Sequence, residues 1–163
     1  MLGDSLTEVA DWSELLHQPI LNRGISGDTT SGILKRLDTA ITPCPRSVFL
    51  MAGHNDLFNY GASVDTVKQN LGTIVNKIRG SCPSSTVFIE SILPVSPERA
   101  KGIDLVSLNQ ELAALADGKS VRFVDLYSRF QQNGYIKPEL TSDGAHLNGP
   151  GYLVWKAAIA PLL

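Results

Sequence analysis

The sequence lacks the long apolar run that a membrane-spanning helix needs. In its 163 residues there is no stretch of about 18 consecutive apolar residues, and no charged and apolar export signal precedes Gly3. It also lacks a basic region, since 14 Lys and Arg against 16 Asp and Glu give a net charge of −2 and the basic residues are scattered. We therefore expect a soluble, cytoplasmic protein with no membrane span and no nucleic acid among its partners.

Cysteine and histidine are scarce as well. Both cysteines, Cys44 and Cys82, precede strand-like runs and have no histidine nearby. Free thiols are the favoured expectation, and a disulfide is the alternative if the two strands are neighbours. The three histidines, His17, His54 and His146, are too dispersed for a metal-ligand pattern, so neither a metal nor another cofactor is expected.

What the sequence does contain is an alternation of short apolar runs with longer helix-like stretches. This alternation predicts a single domain over residues 1–163, an α/β protein with three α/β/α layers and a parallel sheet. Strands are predicted at 19–25, 47–52, 86–93 and 121–126, with Met1 and Leu2 as the remainder of a fifth. Helices are predicted at 11–17, 30–41, 64–79, 103–116 and 151–163, the last with Asn148 as an N-cap candidate.

Four polar segments follow the predicted strands: "GDSLT" from Gly3, "RGISGDTT" from Arg23, "GHND" from Gly53 and "SDGAH" from Ser142. In open parallel sheets, ligands bind beyond the carboxyl ends of the strands. These segments are therefore the predicted site.

Ser5, Asp143 and His146 form a candidate nucleophile with its base. Asp143 precedes His146 by three positions in a glycine-containing turn, so its carboxylate can accept the ring Nδ1–H while Nε2 faces a nucleophile. Each residue also has a simpler interpretation. Ser5 can be a helix N-cap, and Asp143 can cap a turn.

If Ser5 is the nucleophile of an acyl transfer, the site also needs hydrogen-bond donors for the oxyanion that forms on the substrate carbonyl. The backbone N–H groups of Ser5 and Gly27 and the side-chain amide of Asn55 are the candidates. A turn before the following helix is the simpler role for Asn55. We interpret His54 as a pocket wall, with a surface residue as the alternative, and Asp56 as a brace of its loop.

In this order, the blocks "LGDSLTE", "NRGISGDTT", "GHND" and "DGAH" resemble the SGNH (GDSL) hydrolase family of esterases and lipases, over nearly the whole chain. The resemblance implies a flavodoxin-like fold with five parallel strands and a central first strand. It implies Ser5 as nucleophile, His146 as base and Asp143 as its partner. It also implies Ser5, Gly27 and Asn55 as oxyanion donors.

The strings are most similar to the platelet-activating-factor acetylhydrolase-like branch. Together with the short loops that we expect, this implies a serine esterase that cleaves short-chain, acetyl-like carboxylic esters through an acyl-enzyme on Ser5. The family's strand order would also place the strands after Cys44 and Cys82 side by side. Because only Met1 and Leu2 precede the first motif, we expect further residues upstream.

Other functions remain open at this point. A thioesterase or lysophospholipase of the same family and a non-enzymatic flavodoxin-like binding module are the alternatives. An α/β-hydrolase is disfavoured because no Gly-x-Ser-x-Gly pentapeptide occurs. The string "DGKS" at 117–120 lacks the earlier glycine of a phosphate-binding loop and leads into a strand. The alcohol part of the substrate and the oligomeric state are not predicted.

Overall fold

A computed structural model describes residues 1–163 as a three-layer α/β/α sandwich. All pairings in its main sheet are parallel, and the order of the strands is β2-β1-β3-β4-β5. The strands are β1 (Leu2–Gly3), β2 (Arg23–Gly24), β3 (Ser47–Met51), β4 (Thr86–Glu90) and β5 (Val121–Val124). The predicted five-stranded α/β fold is confirmed.

Eight α-helices surround this sheet, and a small antiparallel hairpin precedes the last of them. The helices are α1 (Ser5–Glu8), α2 (Trp12–Leu16), α3 (Thr30–Ala40), α4 (His54–Phe58), α5 (Val64–Ser81), α6 (Leu105–Ala113), α7 (Tyr127–Phe130) and α8 (Gly149–Ile159). The hairpin consists of β6 (Gln131–Gln132) and β7 (Tyr135–Ile136). None of the helices combines the length and the apolarity that a membrane crossing requires.

Alternating side chains of the strands supply two separate apolar cores. In β3, Val48 and Leu50 enter the core shared with α3, α5 and α6, while Phe49 and Met51 enter the core shared with α1, α2 and α8. Successive side chains of a strand point to opposite faces, so a strand that is apolar throughout is covered on both sides. Because all five strands are parallel, their carboxyl ends lie at one edge of the sandwich.

Some element boundaries differ from the predicted ones. Only Arg23–Gly24 of the predicted strand 19–25 is paired, because β2 lies at the sheet edge and its one neighbour, β1, is itself two residues long. β1 is an interior strand between β2 and β3, although β3 holds the middle position. Asn148 does cap α8 by accepting from the Gly151 N–H. Helices α4 and α7 and the hairpin were not predicted.

The expectation of free thiols was wrong, because Cys44 and Cys82 form a disulfide. Each cysteine lies just before its strand, and β3 and β4 are adjacent in register, with Ser47 opposite Thr86. This pairing brings the two Cα atoms to 5.5 Å, within bridging range. In the chain-entropy model, closing a loop of this length contributes about 4 kcal/mol. Disulfides are uncommon in cytosolic proteins, so the bridge gives no support to the cytoplasmic expectation.

Candidate active site

Ser5 is the first residue of α1 and follows β1 after a single linking residue, Asp4. The Asp4 carboxylate caps the helix by accepting the Leu6 N–H at 3.0 Å. At Gly3 an added Cβ would lie 2.5 Å from the Met51 carbonyl oxygen, so β1 can approach β3 here only without a side chain. The strand, the glycine and the cap together hold Ser5 at the carboxyl edge of the sheet.

A hydrogen-bonded chain joins Ser5, His146 and Asp143. The distance from Ser5 Oγ to His146 Nε2 is 3.2 Å, and His146 Nδ1 lies 2.9 Å from Asp143 Oδ2. In a neutral ring protonated on Nδ1, the N–H donates to Asp143 and leaves Nε2 to accept the serine proton. Ser5 thus meets Asp143 and His146, which lie 138 and 141 positions later in the chain, in one site.

The carboxylate of Asp143 is held in its ionised form. Partial burial raises its pKa, but the hydrogen bond from the His146 ring and the backbone N–H groups of His146 and Ala145 outweigh this and hold the pKa of Asp143 well below its ordinary range. Both backbone donors reach Oδ1, at 2.7 and 3.0 Å. Oδ2 therefore stays directed at the ring.

A loop that was not predicted as part of the site contacts the turn that carries Asp143 and His146. Residues 91–104, between β4 and α6, pass beside it, and the Ser96 N–H donates to the Gly144 carbonyl at 2.8 Å. Arg99 Nε donates to the Asp143 carbonyl at 3.2 Å. The expectation of uniformly short loops was wrong here. Because this loop carries no motif of its own, only the folded chain reveals the contact.

Asn55 lies in α4 beside the same site. Its Nδ2 donates to the Asp28 carbonyl at 2.9 Å, and its Oδ1 accepts from Asn59 at 2.6 Å, so the amide orientation is fixed and one N–H of Nδ2 is still available. Gly27 has a φ of 78°, and no atom lies within 4 Å of where its Cβ would be. The Asn55 bond to Asp28 links α4 to the loop that carries Gly27, but Gly27 itself is not among the residues that line the cleft.

His54 and Asp56 hold the surrounding framework. His54 is buried and its ring centroid lies 4.8 Å from that of Phe58. Burial, followed by the nearby charges of His146 and Arg99, lowers the pKa of His54 to about 4, so it forms a neutral wall. Asp56 accepts from the backbone N–H and hydroxyl of Thr30 at 3.0 and 2.6 Å, which fixes the start of α3 against α4. These positions fit the sequence-based interpretations of His54 and Asp56.

The side chains surround a cleft of about 230 Å³. Its lining residues are Ser5, Leu6, His54, Asn55, Phe58, Asn59, Val95, Glu98, Arg99, Lys101, Ala145 and His146. No group of three or more His, Cys, Asp or Glu side chains is placed to hold a metal ion. Among the lining residues are the Ser5 hydroxyl, the His146 imidazole and the Asn55 amide, the groups that the sequence analysis singled out.

Asp4 gives the site a pH-dependent stability. Burial raises the pKa of Asp4 to about 6, only partly offset by the bond from Leu6, and its Oδ2 has no partner. Since the folded-state pKa lies above the ordinary value of 3.8, the folded state binds more protons between these values, and stability falls as pH rises through that interval.

We expect Asp4→Asn, which retains the helix cap, to have a free energy of unfolding at pH 7.5 that is higher than that of the unmodified protein by about 3 kcal/mol, since each unit between the folded and ordinary pKa is worth about 1.4 kcal/mol. The difference should largely disappear at pH 3.5, where both side chains are neutral. Urea titrations at the two pH values measure it. A stability difference that did not change with pH would contradict the raised pKa of Asp4.

The model of the GDSL-like lipase/acylhydrolase family matches residues 1–154. The chain belongs to this family. The resemblance inferred from the four polar blocks is thereby confirmed, and as a GDSL-family member the protein is an ester hydrolase.

Individual relatives agree with the family assignment. The GDSL-family chain is 29% identical to bovine (Bos taurus) platelet-activating factor acetylhydrolase IB subunit alpha1, over 99% of this chain and 73% of that protein. A GDSL-like lipase from Bacteroides thetaiotaomicron superposes with a TM-score of 0.83 at 27% identity, covering 99% of this chain and 84% of the other. The lipase/acylhydrolase from Enterococcus faecalis has the same fold, with a TM-score of 0.83, 22% identity and coverage of 99% and 92%.

Proposed function

We propose that this GDSL-family enzyme hydrolyses short-chain carboxylic esters through an acyl-enzyme on Ser5. The observation that carries the proposal is the continuous chain from Ser5 Oγ through the His146 ring to Asp143 Oδ2. A serine hydroxyl is a weak nucleophile unless a positioned base accepts its proton as the new bond forms. His146 is in contact with Ser5, and Asp143 orients it for that purpose.

The reaction then has two halves. His146 Nε2 takes the hydroxyl proton while Ser5 Oγ attacks the carbonyl carbon, and the carbonyl electron pair moves onto oxygen. When the oxyanion collapses, the bond to the alcohol oxygen breaks and His146 returns the proton to the departing alcohol. Water, activated by the same ring, repeats the sequence on the acyl-enzyme and releases the acid. Each half regenerates the neutral ring.

Donors for the oxyanion come from three segments in this proposal. Asn55 lines the cleft and keeps one unused N–H, and the backbone N–H of Ser5, which also lines the cleft, is the second donor. The backbone N–H of Gly27, which does not line the cleft, is assigned as the third on the family resemblance. A donor that meets the charge only in the intermediate lowers the barrier without tightening substrate binding. The backbone N–H groups of Leu6, Thr7 and Glu8 already donate to Asp4, so α1 adds no further donor.

The size of the cleft supports a short acyl group. About 230 Å³ shared between both halves of an ester leaves little room for a long hydrocarbon chain, and the cleft lining is more polar than a lipid tunnel requires. The acetylhydrolase name of the bovine relative points the same way. The alternative, cleavage of thioesters or lysophospholipids, needs the same Ser5 chemistry and a larger acyl site.

Two measurements test the proposal. A serine-reactive alkyl phosphonate should label the protein at Ser5, as located by peptide mass spectrometry. Turnover of nitrophenyl esters should be highest for acetyl and fall toward palmitoyl. Labelling of another residue would remove Ser5 as the nucleophile. No labelling together with no turnover of any ester or thioester would contradict the proposed activity and favour a binding module. A preference for long acyl chains would overturn the short-chain part of the proposal and leave the role of Ser5 unchanged.

A further inference from the structure

Two cationic side chains, Arg99 and Lys101, line the same cleft as His146. His146 Nε2 must protonate the departing oxygen, so the alcohol part of a bound ester lies next to that ring. Arg99 and Lys101 of the 91–104 loop line the same cleft, and Arg99 contacts the turn that carries His146 through its hydrogen bond to the Asp143 carbonyl. Groups carried by the alcohol are therefore placed near two cationic side chains.

Arg99 is held in place by Asp143 but keeps unused hydrogen-bond donors. Its Nε donates to the Asp143 carbonyl, and its Nη2 lies 3.6 Å from Asp143 Oδ2, too far for a hydrogen bond although close enough for charge attraction. A guanidinium has five N–H donors, and the hydrogen bond of Nε engages one of them. The side chain is 45% exposed, so the remaining donors are available at the cleft.

Lys101 also lines the cleft and keeps unused hydrogen-bond donors. Its ammonium group donates to the Phe58 carbonyl at 2.6 Å, and two of its three N–H donors remain. The bond places the charge next to α4, which also carries Asn55. Glu98 is the one carboxylate among the residues that line the cleft, and the Asp143 carboxylate, which does not line it, lies 3.6 Å from Arg99 Nη2.

We propose that Arg99 and Lys101 form an anion subsite for the alcohol part of the substrate, which makes the preferred substrates esters whose alcohol carries a carboxylate or phosphate group. The inference depends on the proposed esterase function, because it places the anion relative to His146. Charge-assisted hydrogen bonds from a guanidinium and an ammonium are the interactions that oxyanions form most strongly in proteins. The Glu98 carboxylate repels an anion in the same cleft and therefore weakens this preference.

The experiment compares two acetate esters that differ in charge on the alcohol, 4-acetoxybenzoate and 4-acetoxybenzamide. The quantity measured is the ratio of their kcat/KM values, anionic over neutral, in the unmodified protein and in variants. Because both esters depend equally on Ser5 and His146, any general damage to the site cancels in the ratio. Arg99→Gln and Lys101→Gln should each lower the ratio about fivefold, the effect of one partly exposed ion pair.

Glu98→Gln is the matched control, since it removes a charge of opposite sign from the same loop and should raise the ratio. Increasing salt should lower the ratio in the unmodified protein. A second pair of esters carries the charge on the acyl side, the monosuccinate against the butyrate of 4-hydroxybenzamide, and should show no preference that depends on Arg99. This pair locates the subsite relative to the scissile bond.

The outcomes are separable. If neutral esters are hydrolysed and Ser5 is labelled, but the ratio is unchanged in both cation variants, the anion subsite is wrong and the esterase proposal stands. A preference that follows the acyl-side charge places the anion on the other half of the substrate and overturns the assignment. If no ester is hydrolysed and Ser5 is not labelled, both proposals fail together. Should Arg99→Gln not fold, the opposite shifts of Lys101→Gln and Glu98→Gln decide.

Discussion

The Ser5→Ala variant is expected to lose ester turnover by about 10⁴-fold or more, because the hydroxyl is the group that forms the acyl-enzyme and no other side chain can replace it. Its one side-chain hydrogen bond is to His146, so its removal leaves no buried group without a partner. Stability should change by less than about 0.5 kcal/mol. Initial rates with 4-nitrophenyl acetate and a thermal melt measure the two effects.

Ser107→Ala is the matched control for this variant. Ser107 is exposed on α6, and its side chain makes no hydrogen bond and does not line the cleft, so turnover should be unchanged. The alkyl phosphonate should label Ser107→Ala as it labels the unmodified protein and should not label Ser5→Ala. Full activity in a Ser5→Ala preparation with a normal melt would remove Ser5 from the mechanism.

The second large effect is expected at Asn55. Asn55→Ala should lower kcat by about 10²–10³-fold with little change in KM, since one oxyanion donor is lost and two backbone donors remain. Asn55→Asp should be worse. A carboxylate at this position cannot donate, would repel the forming oxyanion, and would face the Asp28 carbonyl that now accepts from Nδ2. Full kinetic curves on a short-chain ester separate kcat from KM.

Asn59→Ala provides a graded comparison for these variants. Asn59 donates to Asn55 Oδ1 at 2.6 Å, so its removal loosens the amide orientation without removing the donor. A loss in kcat smaller than that of Asn55→Ala is expected. If Asn55→Asp were as active as the unmodified protein, with folding verified by circular dichroism, Asn55 would be a turn residue and the oxyanion donors would lie elsewhere.

Several features could be predicted from the sequence because they are encoded locally. The strand runs at 47–52 and 86–93 contain consecutive apolar residues, at 48–51 and 87–89, which is typical of strands covered on both faces. The Asn148 cap is likewise a short-range signal. The spacing of Asp143 and His146 determined their contact, since three residues of one turn suffice to bring a carboxylate to an imidazole.

The order of the four polar blocks along the chain also predicted that they would meet at one site, which no single block does. Three of the blocks lie at the ends of β1, β2 and β3, and strands of a parallel sheet end at a common edge. The fourth block follows β5 only after α7 and the hairpin. The meeting of Ser5 with His146 and the position of Asn55 beside them follow from this rule. Gly27, which no cleft contact yet includes, is the member of the set that still depends on the family resemblance.

Tertiary structure alone decided the rest. The Cys44–Cys82 bridge depends on β3 and β4 being neighbours in register, which no local pattern around either cysteine specifies. The 91–104 loop reaches Asp143 and Gly144 by backbone contacts between segments far apart in the chain. The raised pKa of Asp4 and the lowered pKa of His54 come mainly from burial, and the degree of burial is a property of the packed molecule rather than of adjacent residues.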